Sequence, residues 1–175
     1  MRALTLTPPW TGPVAAGLKP IENRPLPIIS RASFGERFAL HAGREVDELV
    51  YNRIRQIAPE LWRPGWEAGG WILEKEVTWP AWYRLSRITS AVIATARVTR
   101  CVVLQDNGVD ARDAHTGELV DLGEQRRWFF GLYGYLLADV RVLARPVPMR
   151  GWQGFWRIKS EKKVREIEAQ IAEAA

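Results

Sequence analysis

Two stretches limit what this chain can become. AVIATARVTRCVVL, residues 91 to 104, and YGYLLADVRVLA, residues 133 to 144, are dense in β-branched and aromatic side chains. Such residues lose rotamer freedom in a helix and pack well on a pleated surface, so both runs predict long strands. Fourteen residues exceed an ordinary strand, so the first run predicts a bend or a strand pair. ALTLT at 3 to 7 alternates apolar and polar residues and stops at Pro8 and Pro9. RFALHA at 37 to 42 and QGFWRI at 153 to 158 add two more strand candidates.

Helical signals are fewer. Val46, Leu49, Val50, Ile54 and Ile57 recur at helical spacing until Pro59, which predicts a helix whose apolar stripe faces the sheet. Thr11 is placed to cap a short helix through Pro13 and Ala16, with Gly17 at its end. Ser160 is placed to cap a terminal helix carrying Val164, Ile167 and Ile171 on one side. Many strands with few helices imply a mixed α+β fold.

The 175 residues, 47% of them hydrophobic, fit one domain with a real core. The single cysteine, Cys101, sits in an apolar β-branched run, which excludes an internal disulfide or a cysteine-based zinc site and predicts a buried thiol. No apolar stretch approaches membrane-spanning length, and MRALTLTPPW lacks a secretory hydrophobic segment, so a soluble, cytoplasmic protein with no membrane partner is expected.

The formal charge of +5 is unevenly distributed. Gln105 to Gln125 holds six acids against Arg112 alone, −5, and reads as a solvated acidic excursion. Arg126 to Arg165 holds ten bases against Asp139 and Glu161, +8. Such a run attracts polyanions because phosphate neutralisation releases counterions, and it equally serves solubility. Trp62, Trp66, Trp71, Trp79 and Trp82 crowd one segment. Their rings suit base stacking, but their irregular spacing defines no common face, so packing is the simpler reading.

GLKPIENRP, residues 17 to 25, holds Lys19, Glu22 and Arg24 between Pro20 and Pro25. Each proline biases the residue before it away from helical geometry, so the segment should be extended. In an extended chain Glu22 and Arg24 share one side, and Lys19, Ile21 and Asn23 the other. A Glu22–Arg24 pair would fix the guanidinium, leaving donors of Arg24 and Lys19 for a phosphate or carbonyl, while the Asn23 amide could read a base edge. The residues alone leave open a surface turn with solvated charges.

Four stretches in this order resemble the activating-signal-cointegrator homology (ASCH) family: PPW at 8 to 10, GLKPIENR at 17 to 24, AVIATARVTRC at 91 to 101, and YGYLLADVRVLARPVPMRGWQGFWRI at 133 to 158. The resemblance spans nearly the whole chain. It implies a small PUA-like β-barrel with flanking helices, in which residues at about 60 to 88 and 105 to 125 look like insertions. It also implies a positively lined cleft for RNA or a modified nucleobase, with no cofactor. Matched by position, Lys19, Glu22 and Arg24 become candidates for the floor of that cleft, and Trp10, Tyr133 and Trp156 for aromatic contacts. Gln153 is a further polar candidate, and Tyr135 is read equally well as core. Some relatives resemble hydrolases that act on acylated nucleosides or RNA, in which a lysine works with a hydroxyl residue and a carboxylate. The deacylating relatives have a threonine three residues after that lysine, where this chain has Glu22. If the protein is an enzyme, Lys19 and Glu22 are the expected catalytic pair. A neighbouring carboxylate, however, is expected to raise the lysine pKa and suit it to anion binding. A third possibility is a protein-interaction module using the Trp-rich segment.

His41 and His115 have no partner at metal-ligand spacing, so no metal site is expected. DNGVDARDAHTGE lacks the acid spacing of a calcium loop, and no dinucleotide fingerprint, phosphate loop or nucleophile elbow occurs. Oligomeric state is not encoded in any of these patterns.

Overall fold

The structure, a computed structural model, describes residues 1–62, 80–105 and 107–173. Trp66, Trp71 and Trp79, most of the 60 to 88 stretch expected as an insertion, and Asp106 lie outside the described residues.

Among the described residues, an α+β fold is built on one mixed sheet of eight strands: β1 (Arg2–Leu6), β2 (Ile21–Arg24), β3 (Arg37–Ala42), β4 (Ala91–Leu104), β5 (Ala111–Asp113), β6 (Leu119–Val120), β7 (Tyr133–Pro148) and β8 (Phe155–Arg157). The main path runs β2-β7-β4-β3-β1-β8, with β5 and β6 branching from β4. β1 and β3 run parallel and the other pairs antiparallel. The sheet curls into a half-barrel. Its helices are α1 (Thr11–Ala15), α2 (Glu48–Ile57), α3 (Ala81–Ser86) and α4 (Glu161–Glu173).

The 91 to 104 run is one strand, not a pair, and it bends through pairing irregularities at Val92/Ala94, Thr95/Arg97 and Val98/Arg100. Each extra residue in one strand increases local twist, which lets long strands curve around a core. β7 runs four residues beyond the predicted end. Along its last residues β4 alone is its neighbour, so the missing N–H groups of Pro146 and Pro148 are tolerated on the open side.

The two sheet faces bury separate cores. Leu4, Leu6, Phe38, Leu40, Ile93 and Tyr135 form the core beneath α1. Ala3, Ala39, Val92, Leu143 and Val147 pack under Ile167 and Ile171 of α4, as the terminal apolar stripe predicts. Ile21, Val102, Trp128 and Phe129 form a third cluster, into which Ala111 and Leu122 are drawn. The acidic 105 to 125 stretch is therefore not simply a solvated loop. It contains the β5–β6 hairpin and the start of a 3-10 turn at Gly123–Trp128.

Two local expectations are corrected. Thr11 is the first helical residue and caps nothing; its hydroxyl is buried without a partner among the described residues. The stripe of α2 packs mainly on Trp82 and Trp10 through Tyr51 and Ile54; only its last residue, Ile57, reaches the cluster that holds the sheet residues Ile21 and Val102, and Leu49 is 77% exposed. Asp47 caps that helix by accepting from the Leu49 amide. Cys101 is buried as expected, and burial pushes its thiol pKa up to about 11.

Candidate functional site

The GLKPIENR segment leaves α1 through Gly17, whose φ of 74° suits a residue without a side chain. The amides of Leu18 and Lys19 both donate to the Pro13 carbonyl, which holds the chain back on the helix. β2 then pairs with β7, setting Glu22 opposite Tyr135 and Arg24 opposite Tyr133. Alternation places Glu22 and Arg24 on one face, as the sequence predicts.

Glu22 bridges two cations. One carboxylate oxygen lies 3.0 Å from Arg24 Nη2, and the other 3.3 Å from Lys19 Nζ. Lys19 does not stay with Ile21 and Asn23. It precedes the strand, so its side chain folds back to Glu22 and to the Ile21 carbonyl. Its ammonium also lies 5.5 Å from the centre of the Trp10 ring and 5.8 Å from that of Phe130. At 1% exposure it is sealed inside. The expected upward effect of Glu22 on the lysine pKa is present but overruled: burial, the largest influence, brings the pKa below its usual value.

Arg24 is the outer end of this chain of charges. Its Nη2 also donates to the Thr5 carbonyl at 2.7 Å, tying edge strand β2 to β1. Its Nε is buried without a hydrogen-bond partner among the described residues. On its open side lies a cleft of about 1160 Å³. One wall is Arg24, Pro25, Leu26 and Ile28; the floor holds Thr5 and His41; the opposite wall is Gly43, Arg44, Glu45 and Ser90; the rim is the Met149–Gly154 loop. Backbone bonds tie the walls together: Gly43 donates to Leu6, Ser90 to Gly43, and Met149 to Ser90. Ser90 adopts a positive φ of 52°, uncommon for a residue with a Cβ.

The floor is ordered by one hydroxyl. Thr5 Oγ1 accepts from Trp156 Nε1 at 3.0 Å and lies 3.3 Å from His41 Nδ1. A carbonyl only accepts, so His41 Nε2, 3.0 Å from the Met149 oxygen, carries the proton, and Nδ1 is left to accept from Thr5. Burial lowers the His41 pKa, opposed by that bond to Met149. The ring is therefore neutral at pH 7. Gly151 crosses so closely that an added Cβ would lie 2.2 Å from His41 Cε1. At the rim Trp152 is 57% exposed, with the Arg150 guanidinium 4.8 Å from its ring centre.

Of the residues singled out from sequence, Arg24 and Gln153 line this cleft. Lys19 and Glu22 stand behind its wall, joined to it through Arg24. Trp156 supports the floor from behind. Trp10 packs on the Lys19 side, 5.3 Å from Phe130. Tyr133 packs against the main core, and Tyr135 is fully buried, its hydroxyl accepting from the amides of Ile28 and Ile29. Asn23 uses its amide on the chain itself, donating to Trp128 and accepting from Phe130 and Gly131. It is a clamp on the turn before β7. Sequence reasoning missed His41, Arg44, Ser90, Arg150 and Trp152 as lining or rim residues. The one local signal was RGWQG at 150 to 154, an aromatic and a cation between glycines inside the basic run.

Fold and site together describe an α+β half-barrel protein with a cationic, aromatic-rimmed cleft. No protein-family model and no curated protein matches the chain. Among solved structures it is similar to the crystal structure of ASCH from Zymomonas mobilis, with a TM-score of 0.45 and 14% identity over 96% of this chain and 93% of that one. A serine-to-alanine mutant of the Zymomonas mobilis protein gives 0.44 and 14% over 96% and 94%, and a tyrosine-to-phenylalanine mutant 0.45 and 14% over 96% of each chain. Among the described residues no acid, histidine and cysteine cluster could hold a metal, and no helix is long and apolar enough to cross a membrane.

Proposed function

We propose that this protein binds RNA or another nucleobase-containing ligand in the cleft bounded by Arg24, Arg44 and Arg150. One observation carries the reading: among the described residues, an open space of about 1160 Å³ is lined by three arginines against the single acid Glu45, with an exposed tryptophan at its rim. Guanidinium groups bind phosphate through paired donors, and an indole offers a stacking face to any base. Single-stranded RNA is the probe, followed by fluorescence anisotropy at rising salt. Its affinity should fall as salt rises, since phosphate contacts release counterions. Trp152→Ala should cost about 1–3 kcal/mol of binding in a protein that remains folded. Affinity indifferent to salt, or unchanged in Trp152→Ala, rejects the reading.

A second reading, hydrolysis of an acylated nucleoside or of RNA, has the lowered pKa of Lys19 in its favour, because a lysine that gives up its proton easily can act as a base or nucleophile. Against it stands the burial of that ammonium behind Glu22 and Arg24. Turnover of acetylated cytidine or labelled RNA that disappears in Lys19→Ala would favour it. Absence of turnover in both leaves binding.

A further inference from the structure

Away from the cleft, three arginines from neighbouring strands gather around one carboxylate. Arg37 of β3 stands directly opposite Arg97 of β4, and Thr95 of β4 opposite Arg141 of β7. Like charges facing each other across a sheet are destabilising unless something lies between them. Asp139 fills that place. It belongs to a bulge, where Asp139 and Val140 of β7 span the same interval as Ala96 alone on β4, and its φ is 49°. A bulge with a left-handed residue re-aims a side chain, and such positions cluster at functional sites.

The carboxylate is shared in full. One oxygen accepts from Arg141 Nε at 2.9 Å, and the other from Arg97 Nε at 3.3 Å and from Arg37. Arg37 is also fixed by Thr95 Oγ1 at 2.8 Å and by the Asp139 carbonyl at 3.0 Å. Arg97 donates through Nη1 to the Gly35 carbonyl. The terminal nitrogens of Arg141 and Nη2 of Arg97 have no hydrogen-bond partner among the described residues. Three positive charges thus meet one negative, an excess of two. Burial first, and then the repulsion of Arg141 and Arg97, holds the Arg37 pKa below its usual value despite Asp139.

Arg37 and Arg141 also line a cavity of about 340 Å³, with Met1, Ile171 and Ala172 on its apolar sides and Glu168 at its edge. Counting Glu168, one positive charge is still unmatched. An apolar contact would have closed this sheet face without accumulating like charges, whereas an incoming dianion relieves the repulsion and takes up the idle donors.

We propose that the Arg37–Arg97–Arg141 cluster, gathered by Asp139 beside this cavity, is a second ligand site that takes a phosphate group. Phosphate is preferred to a single carboxylate because the free donors come from two separate strands, a spread that the several acceptor oxygens of one phosphate can meet. The group's source is either a small phosphorylated molecule whose body rests on Met1 and Ile171, or the backbone of a nucleic acid.

The test is thermal unfolding of the full chain in inorganic phosphate against chloride at matched ionic strength. Phosphate also stabilises proteins non-specifically by exclusion from their surface, so the variants carry the decision. The wild-type midpoint should rise and saturate with phosphate. Arg141→Gln should weaken the apparent phosphate affinity about tenfold. Asp139→Asn keeps a residue tolerant of positive φ but removes the only charge between the arginines. It should lower the midpoint in chloride and regain more than the wild type does on adding phosphate, a rescue that a purely structural carboxylate would not show. A non-saturating wild-type response, an Arg141→Gln response equal to wild type, or an Asp139→Asn variant without enhanced rescue each overturns the proposal. Once saturation is seen, single-stranded RNA distinguishes the source. Weaker RNA binding in Arg141→Gln assigns the phosphate to a nucleic-acid backbone, and unchanged RNA binding assigns it to a small molecule. Because Arg44, Arg150 and Trp152 lie in the other cleft, failure here leaves the RNA reading of that cleft standing.

Discussion

Glu22 and Asp139 each hold several cations, and the two clusters solve opposite problems. Glu22 is 7% exposed and gives one oxygen to Lys19 and one to Arg24, so the sealed ammonium is matched and the one surplus charge falls on Arg24, the most exposed of the three. Asp139, whose side chain is 37% exposed, is divided among three arginines, of which Arg97 and Arg141 retain idle donors. Where water is excluded, charge must be nearly balanced, because an uncompensated buried ion costs several kcal/mol. Where water reaches the groups, an excess is tolerable and is available to a ligand. Lys19 and Glu22 are therefore a fastening that leaves only Arg24 at the cleft, and the outer cluster is the proposed receptor.

Removing the inner carboxylate's charge tests that contrast most severely. Glu22→Gln leaves Lys19 and Arg24 close together without a counter-ion, and should destabilise the fold by about 3 kcal/mol or more in denaturant unfolding. A loss below about 1 kcal/mol, typical of exposed pairs, would erase the distinction between the two clusters. Lys19→Met removes the buried charge while roughly keeping its shape, and Glu22 still has Arg24. Its cost should be smaller, about 1–2 kcal/mol, chiefly from the Ile21 carbonyl losing its donor. A greater loss than in Glu22→Gln would reverse the assignment of which group the other serves.

The smallest expected effect concerns the cleft floor. His41 has a lowered native pKa, so the unfolded chain binds a proton at a pH where the native ring does not. Its contribution to stability is complete above the ordinary value of 6.5 and is lost as pH falls from there through the lowered native pKa. His41→Gln retains a donor for the Met149 carbonyl and should flatten that part of the stability–pH curve. An unaltered slope below pH 6.5 would place the proton uptake elsewhere.

Strands β1, β3, β4, β7 and β8 were legible because their signals are local, whereas the β5–β6 hairpin lay in the stretch read as a solvated excursion. Alternation in ALTLT and β-branching in 91 to 104 report directly on how a residue fits a pleat. Alternation also anticipated the Glu22–Arg24 pair. It could not anticipate Lys19, which precedes the strand and is turned by Gly17 and Pro20 rather than by a period of two. Nor could it show the α2 stripe's true partner, since Trp82 and Trp10 present an apolar surface as acceptable as the sheet. The cleft was hidden for another reason: Thr5, Arg24, His41, Ser90 and Arg150 come from remote segments, and only the folded sheet brings them together. His41 read as an ordinary strand residue, and from the β3 side it is one.

The approach of Gly151 to the His41 ring has a bearing on how this protein diversifies. A side chain there would collide with the imidazole and lift the rim, so position 151 is closed to variation while the ring stays. Arg150, Trp152 and Gln153 on either side meet no such barrier. Ligand preference can therefore drift through those three positions around a fixed hinge pin, without the sheet beneath having to change.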